Sequence, residues 1–136
     1  MKYSKLGNSE LEVSNICLGT WPIGGGMGAI EQKDAINAIH ASIDNGINFL
    51  DTAQMYLDSE YILGKAIKGK RNKIILASKL SSWKNINDIE KALENSLKNL
   101  QTDVIDLYQI HSWQESIPME DTFSKLIELK EKGYFK

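Results

Sequence analysis

The chain has 136 residues, of which 42% are hydrophobic and 25% charged, the balance of a folded globular protein rather than a disordered one. Lys plus Arg number 16 against 18 Asp plus Glu, a formal charge of -2, which argues against nucleic-acid binding or membrane docking through a basic face. A single cysteine, Cys17, excludes an internal disulfide; no apolar run reaches the ~18 residues of a membrane span and residues 1–5 lack a secretory leader's apolar stretch, so the expected setting is cytoplasmic.

In chain order, Lys2–Leu6 and Leu11–Val13 flank Gly7-Asn8-Ser9 and predict an N-terminal β-hairpin. Four short apolar runs follow: Ile16–Thr20, Ile47–Thr52, Ile74–Lys79 and Val104–His111. Their ends recur roughly every 30 residues, the length of one βα unit. Helical spacing fills the gaps. Ile36, Ile39 and Ile43 share one face, with Gly46 as a C-terminal stop. Ile62, Leu63, Ala66 and Ile67 form a second face, starting at Asp58 or Ser59 and ending near Gly69. Ile89, Ala92, Leu93, Ser96, Leu97 and Leu100 form the third, with Asn87 and Glu90 predicted as its capping box. The fourth carries Glu120 and Asp121 in its first turn, is expected to bury Phe123, Leu126 and Ile127, and stops before Gly133.

A hairpin plus four equal βα units predicts an α/β protein of the (β/α)8 TIM-barrel type, here as a half-barrel forming one incomplete domain over residues 1–136, because a closed barrel needs eight units. Gly133-Tyr134-Phe135-Lys136 is where a fifth strand is expected to begin. A doubly wound open sheet is the structural alternative.

In a βα barrel the reactive groups sit at the C-terminal ends of the strands. Run two ends at Asp51, run three at Lys79 and run four at His111, and Tyr56 lies in the loop after Asp51. Each has a plainer reading taken singly: a helix cap for Asp51, loop packing for Tyr56, a structural histidine for His111. Lys79 is odder, because an apolar strand commits its charge to a mostly buried place that needs a partner or water. Their joint placement on one rim is what points to chemistry. Tyrosine alone is a poor acid near neutral pH, but a neighbouring ammonium favours the phenolate and makes a workable proton donor. Asp51 is suited to hold Lys79 by a charge-assisted hydrogen bond. His111 is suited to donate to a substrate oxygen on which negative charge develops. A proton donor beside an oxyanion partner, without a cluster of metal ligands, suits carbonyl reduction with hydride from a nicotinamide cofactor.

These residues carry a resemblance. Leu18-Gly19-Thr20-Trp21 closes the first strand, Asp51-Thr52-Ala53-Gln54-Met55-Tyr56 follows the second with Ser59-Glu60 and Leu63-Gly64 after it, Ala77-Ser78-Lys79 ends the third, and Asp106-Leu107-Tyr108-Gln109-Ile110-His111 forms the fourth. The chain resembles the N-terminal half of an aldo-keto reductase. The resemblance implies a catalytic tetrad of Asp51, Tyr56, Lys79 and His111, reduction of aldehydes or ketones, NADPH as cofactor, and cofactor contacts from Gly19, Thr20, Trp21 and Asp51. It also implies that most of the NADP(H) site lies in the later strands, loops and helices of such a barrel. Leu57 departs from the pattern, which has glycine after the tetrad tyrosine, and is expected to reshape the loop that aims Tyr56.

Other signals are read down. Gly24-Gly25-Gly26-Met27-Gly28-Ala29 matches G-x-G-x-x-A, but Trp21-Pro22 separates it from the strand, and it is read as a flexible active-site loop rather than a dinucleotide fingerprint. Cys17 is expected to be a small buried hydrophobe and His40 a surface or packing residue. Trp21, Trp83 and Trp113 all follow strand ends, where they either line a pocket or pack loops. The competing functional expectation is a truncated, catalytically inactive half-barrel serving as an interaction or scaffold module, or with no independent function. Its exposed strand edges and apolar inner face predict self-association or pairing with a complementary C-terminal half. No nucleic-acid or membrane partner is expected.

Overall fold

The computed structural model describes residues 1–113 and 115–136. β1 (Tyr3–Lys5) and β2 (Glu12–Ser14) form the predicted antiparallel hairpin, turned by Gly7 at φ 58°. Then come β3 (Cys17–Gly19), α1 (Gln32–Asp44), β4 (Phe49–Asp51), α2 (Ser59–Ala66), β5 (Ile75–Leu80), α3 (Ile86–Leu100), β6 (Leu107–Ile110) and α4 (Met119–Glu131).

β3 to β6 make one parallel sheet in the order β3-β4-β5-β6. Each strand's neighbour in space is its neighbour in sequence. A doubly wound sheet reverses its strand order at a switch point, and no such reversal occurs among these strands. The order is that of a barrel wall. Beyond β6, the Ile105 N–H donates to the Tyr134 carbonyl at 3.1 Å and the Lys136 N–H to the Ile105 carbonyl at 3.1 Å, the first rung of a further parallel strand. The hairpin is tied below the sheet by Asn48, which accepts from Ser14 N–H at 2.6 Å and donates to the Glu12 carbonyl at 2.9 Å.

Side chains alternate across a strand, so register fixes the two faces. Leu18, Leu50 and Leu76 lie in one row, Ser78 and Tyr108 in the next, Leu80 and Ile110 after them. This face carries the helices, and Leu50, Leu76 and Leu80 are fully buried there with Leu63, Leu93 and Leu100. Cys17, Phe49 and Ile75 form a row on the other face, followed by Gly19, Asp51, Ala77 and Leu107, then Lys79 and Gln109. Among the described residues no helix covers it, and a groove of about 470 Å³ runs from Cys17 and Phe49 to Asp51 and Gln109.

Several expectations are corrected. Cys17 is exposed, because it falls on the uncovered face. Partial desolvation by the sheet, then the nearby Asp51 charge, push its thiol up to about 11. The capping box of α3 is Asn85 with Asp88, two residues earlier than predicted: Asn85 accepts from the Asn87 N–H at 3.0 Å, and Asp88 accepts from the Asn85 N–H at 3.2 Å. The same Asn-x-x-acid spacing occurs twice, and the earlier start adds Ile86 to the packed face. On α4, Thr122, Leu126 and Leu129 are buried while Phe123 and Ile127 are 48% and 57% exposed. Among the described residues, α3 is the helix packed against α4, and it leaves the flank carrying these two residues uncovered. Among the described residues, no helix is long and apolar enough to cross a membrane.

Candidate active site

The three strand-end residues and the loop residue Tyr56 converge. Asp51 closes β4, Lys79 is the penultimate residue of β5, and His111 follows β6 with its N–H donated to the Leu80 carbonyl at 2.9 Å. Lys79 Nζ donates to Asp51 Oδ2 at 2.6 Å and to the Thr52 carbonyl at 2.9 Å. With the two side chains only 14% and 27% exposed, this ion pair is partly desolvated and charge-assisted, stronger than a surface pair. Lys79 Nζ also lies 5.0 Å from the centroid of the Tyr56 ring, within cation–π range. The Tyr56 ring meets the His111 ring edge-on at 5.4 Å and 83°. It meets the Trp21 indole at 5.0 Å and 66°. Tyr56 is thus held between an ammonium, an imidazole and an indole, on one rim.

The loop that carries Tyr56 is tightly set. Leu57 takes φ 48°, left-handed backbone that a glycine adopts without steric cost, and its side chain is 67% exposed. The expected reshaping is therefore local: leucine keeps a glycine-type turn and projects into solvent. The glycine segment is no free-standing loop. A Cβ at Gly24 would lie 2.1 Å from the Tyr56 carbonyl oxygen, and one at Gly26 would lie 2.2 Å from the Trp21 indole. These two glycines let the segment lie flush against the tyrosine and its neighbouring tryptophan. Strand, turn and helix do not follow one another here as a dinucleotide fingerprint requires, since α1 begins only at Gln32.

Of the residues expected to meet a cofactor, Gly19 leaves the end of β3 bare and Trp21 is 39% exposed beside it. Thr20 is fully buried, with its N–H and its hydroxyl both donated to the Asp51 carbonyl at 2.9 Å. Its side chain serves the site by fixing Asp51. Trp113 is 39% exposed near the rim, while Trp83 is core. His40 packs α1 on α2 through a 2.8 Å contact between Nε2 and the Ala66 carbonyl.

Sequence reasoning gave no part in the site to three residues, although it quoted Ser59-Glu60 as part of the motif. Ser81 Oγ stands 3.3 Å from His111 Nδ1 and accepts from the Met55 N–H at 3.2 Å. Ser59 is fully buried and Glu60 is 2% exposed, both bonded to strand ends. A fully buried serine beside a buried glutamate at a helix start reads, in sequence, as an ordinary capping pair.

Residues 15–136 match the model of the Aldo/keto reductase family. "Aldo-keto reductase YhdN" of Bacillus subtilis is 44% identical over 147 residues, covering 98% of this chain and 44% of the relative. Among solved structures, the holo form of aldo-keto reductase AKR11C1 from Bacillus halodurans superposes with a TM-score of 0.89 at 34% identity, over 99% of this chain and 48% of that one. An aldo/keto reductase from Klebsiella pneumoniae in complex with NADP and acetate superposes at 0.81 with 37% identity, over 91% and 44%. The chain spans about half the length of these relatives. With the family's motifs on one parallel-strand rim and its model matched from residue 15 to the last residue, the chain belongs to the aldo/keto reductase family.

Proposed function

We propose that this chain forms the proton-donating N-terminal half of an NADPH-dependent carbonyl reductase, converting aldehydes or ketones to alcohols. The observation that carries the reading is the Lys79–Asp51 pair at 2.6 Å beside a tyrosine ring that also meets His111. Tyr56 gives its phenol proton to the carbonyl oxygen. The Lys79 ammonium stabilises the phenolate left behind, and Asp51 with the Thr52 carbonyl keeps that ammonium in place. In the tautomer where Ser81 Oγ donates to His111 Nδ1, Nε2 carries the hydrogen and donates to the same substrate oxygen, orienting it as charge develops. The bare end of β3 at Gly19, with Trp21 and Asp51 beside it, fits the flat nicotinamide end of the cofactor, while Thr20 acts from behind through Asp51. NADPH, when bound, supplies hydride to the carbonyl carbon. The test is to complete the barrel with the C-terminal half of the Bacillus subtilis relative and assay a simple aldehyde with NADPH. NADPH oxidation with alcohol formation is expected; none from a folded, cofactor-binding assembly contradicts the reading.

A second reading is supported by the uncovered sheet face and by Phe123 and Ile127 on the free flank of α4. In it the isolated chain works as a cytosolic pairing module, binding a complementary (β/α)4 half or a second copy. Light scattering of the isolated chain should then show association, reduced in Phe123→Ser and Ile127→Ser. A monodisperse monomer in both wild type and variants contradicts it.

A further inference from the structure

Ser59 and Glu60 open α2 on the helix side of the sheet, away from the rim residues, yet both are buried and both reach strand ends. Ser59 Oγ donates to Thr20 Oγ1 at 2.7 Å, with the Thr20 carbonyl also at 3.0 Å, and lies 2.9 Å from Thr52 Oγ1. Thr20 Oγ1 in turn donates to the Asp51 carbonyl at 2.9 Å. Each hydroxyl has one hydrogen to give, so the chain runs in one direction: Thr52 to Ser59, Ser59 to Thr20, Thr20 to Asp51. It joins the ends of β3 and β4 through α2. Glu60 does the same for β5. Its Oε1 accepts from Ser78 Oγ at 2.7 Å and its Oε2 from Asn99 Nδ2 at 3.4 Å, the second tie reaching α3.

Every strand residue gripped this way adjoins the ion pair. Thr52 follows Asp51 and its carbonyl accepts from Lys79 Nζ; Ser78 precedes Lys79; Tyr56 is three residues before Ser59, whose N–H donates to the Tyr56 carbonyl at 2.9 Å. We infer that Ser59 and Glu60 are positioning residues, a buried two-pronged clamp that sets the strand ends so that Lys79 stays paired with Asp51 and the Thr52 carbonyl. A purely apolar α2 would pack the sheet equally well but would leave the strand ends free to slide by the few tenths of an ångström that a 2.6 Å bond does not tolerate. The inference deepens the proposed function, since the pair it positions is the one assigned to tune Tyr56.

The test reads Lys79 directly, without cofactor or turnover. Trinitrobenzenesulfonate modification of each lysine is followed by mass spectrometry in the native chain, with Lys125 as internal control, an amine whose side chain is 12% exposed and which is paired to Glu90 at 2.8 Å on the helix surface. Loss of the Ser78–Glu60 hydrogen bond, one to a charged group, should speed Lys79 modification roughly tenfold in Ser78→Ala and in Glu60→Ala, which also gives up the longer Asn99 bond, with Lys125 unchanged. The double variant should be no faster than the singles, because both remove the same tie. Glu60→Gln should stay near wild type, since its amide oxygen still accepts from Ser78. Ser59→Ala should act in the same direction through Thr52, and keeps the test open if Glu60→Ala does not fold. Lys79 reacting at the wild-type rate in folded Ser78→Ala and Ser59→Ala would overturn the clamp, as would equal acceleration of Lys125. A failed clamp leaves the reductase reading standing, and a failed aldehyde assay leaves the clamp standing.

Discussion

The two faces of the parallel sheet are built from the same strands and do opposite things. On the helix side, Leu50, Leu76 and Leu80 meet Leu63, Leu93 and Leu100 with no exposed surface. On the other side, one residue away along each strand, Cys17, Gly19 and Gln109 are exposed, and the Lys79–Asp51 ion pair stands at the rim. Alternation thus separates the two tasks: one face supplies the stability, and the other is left free to place polar groups at an open surface. The faces communicate through the few buried polar residues that cross the layer, Thr20, Ser59, Glu60 and Ser78.

The two faces differ most when neighbours on β4 are truncated. Leu50→Ala should cost about 2–5 kcal/mol in denaturant unfolding, through lost burial and a cavity. Phe49→Ala, a larger deletion on the open face, should cost about 1 kcal/mol or less. Equal costs would mean that the inner face is covered too. A smaller effect sharpens the account at the bottom of the sheet. Burial would raise the pKa of the Asp106 carboxyl, but the Leu76 N–H, Lys136 at 2.6 Å and Arg71 at 2.7 Å outweigh it and hold the carboxyl below its usual range. A lowered folded value means stability that is present above the ordinary carboxylate pKa and lost as pH falls through the folded one. Asp106→Asn should therefore lose about 1.5–3 kcal/mol near neutrality. Wild type and variant should converge in acid, and parallel curves down to low pH would assign the effect elsewhere. The smallest effect is at Leu57. Leu57→Gly relieves left-handed strain at φ 48° and gives up chain stiffness, for a net gain of roughly 0.5–1 kcal/mol in thermal or denaturant unfolding. A loss of stability would show that the exposed leucine packs more than it strains.

Much of this was legible in the residues because it obeys simple periods. The roughly 30-residue spacing gives the βα units, and strand ends give Asp51, Lys79 and His111 their common rim. Three kinds of information were not legible. Cys17 reads as a core residue because a three-residue strand does not say which of its faces is covered. Phe123 and Ile127 read as buried because their helical spacing is apolar, yet among the described residues the helix packed against α4 leaves them uncovered. Ser59, Glu60, Gly24 and Gly26 stand in patterns visible in the sequence, but what they touch lies in segments distant in sequence, and local spacing does not name those partners. The Asn-x-x-acid pattern at the start of α3 occurs twice, and packing of Ile86 chose between the copies.

The proposed proton-donor role of Tyr56, beside Lys79, is tested most directly at Tyr56 itself. In the completed barrel, Tyr56→Phe should lower single-turnover reduction of an aldehyde by about 10²–10⁴-fold, the usual worth of a general acid, while NADPH binding by fluorescence is unchanged. Reduction at the wild-type rate by Tyr56→Phe would contradict it.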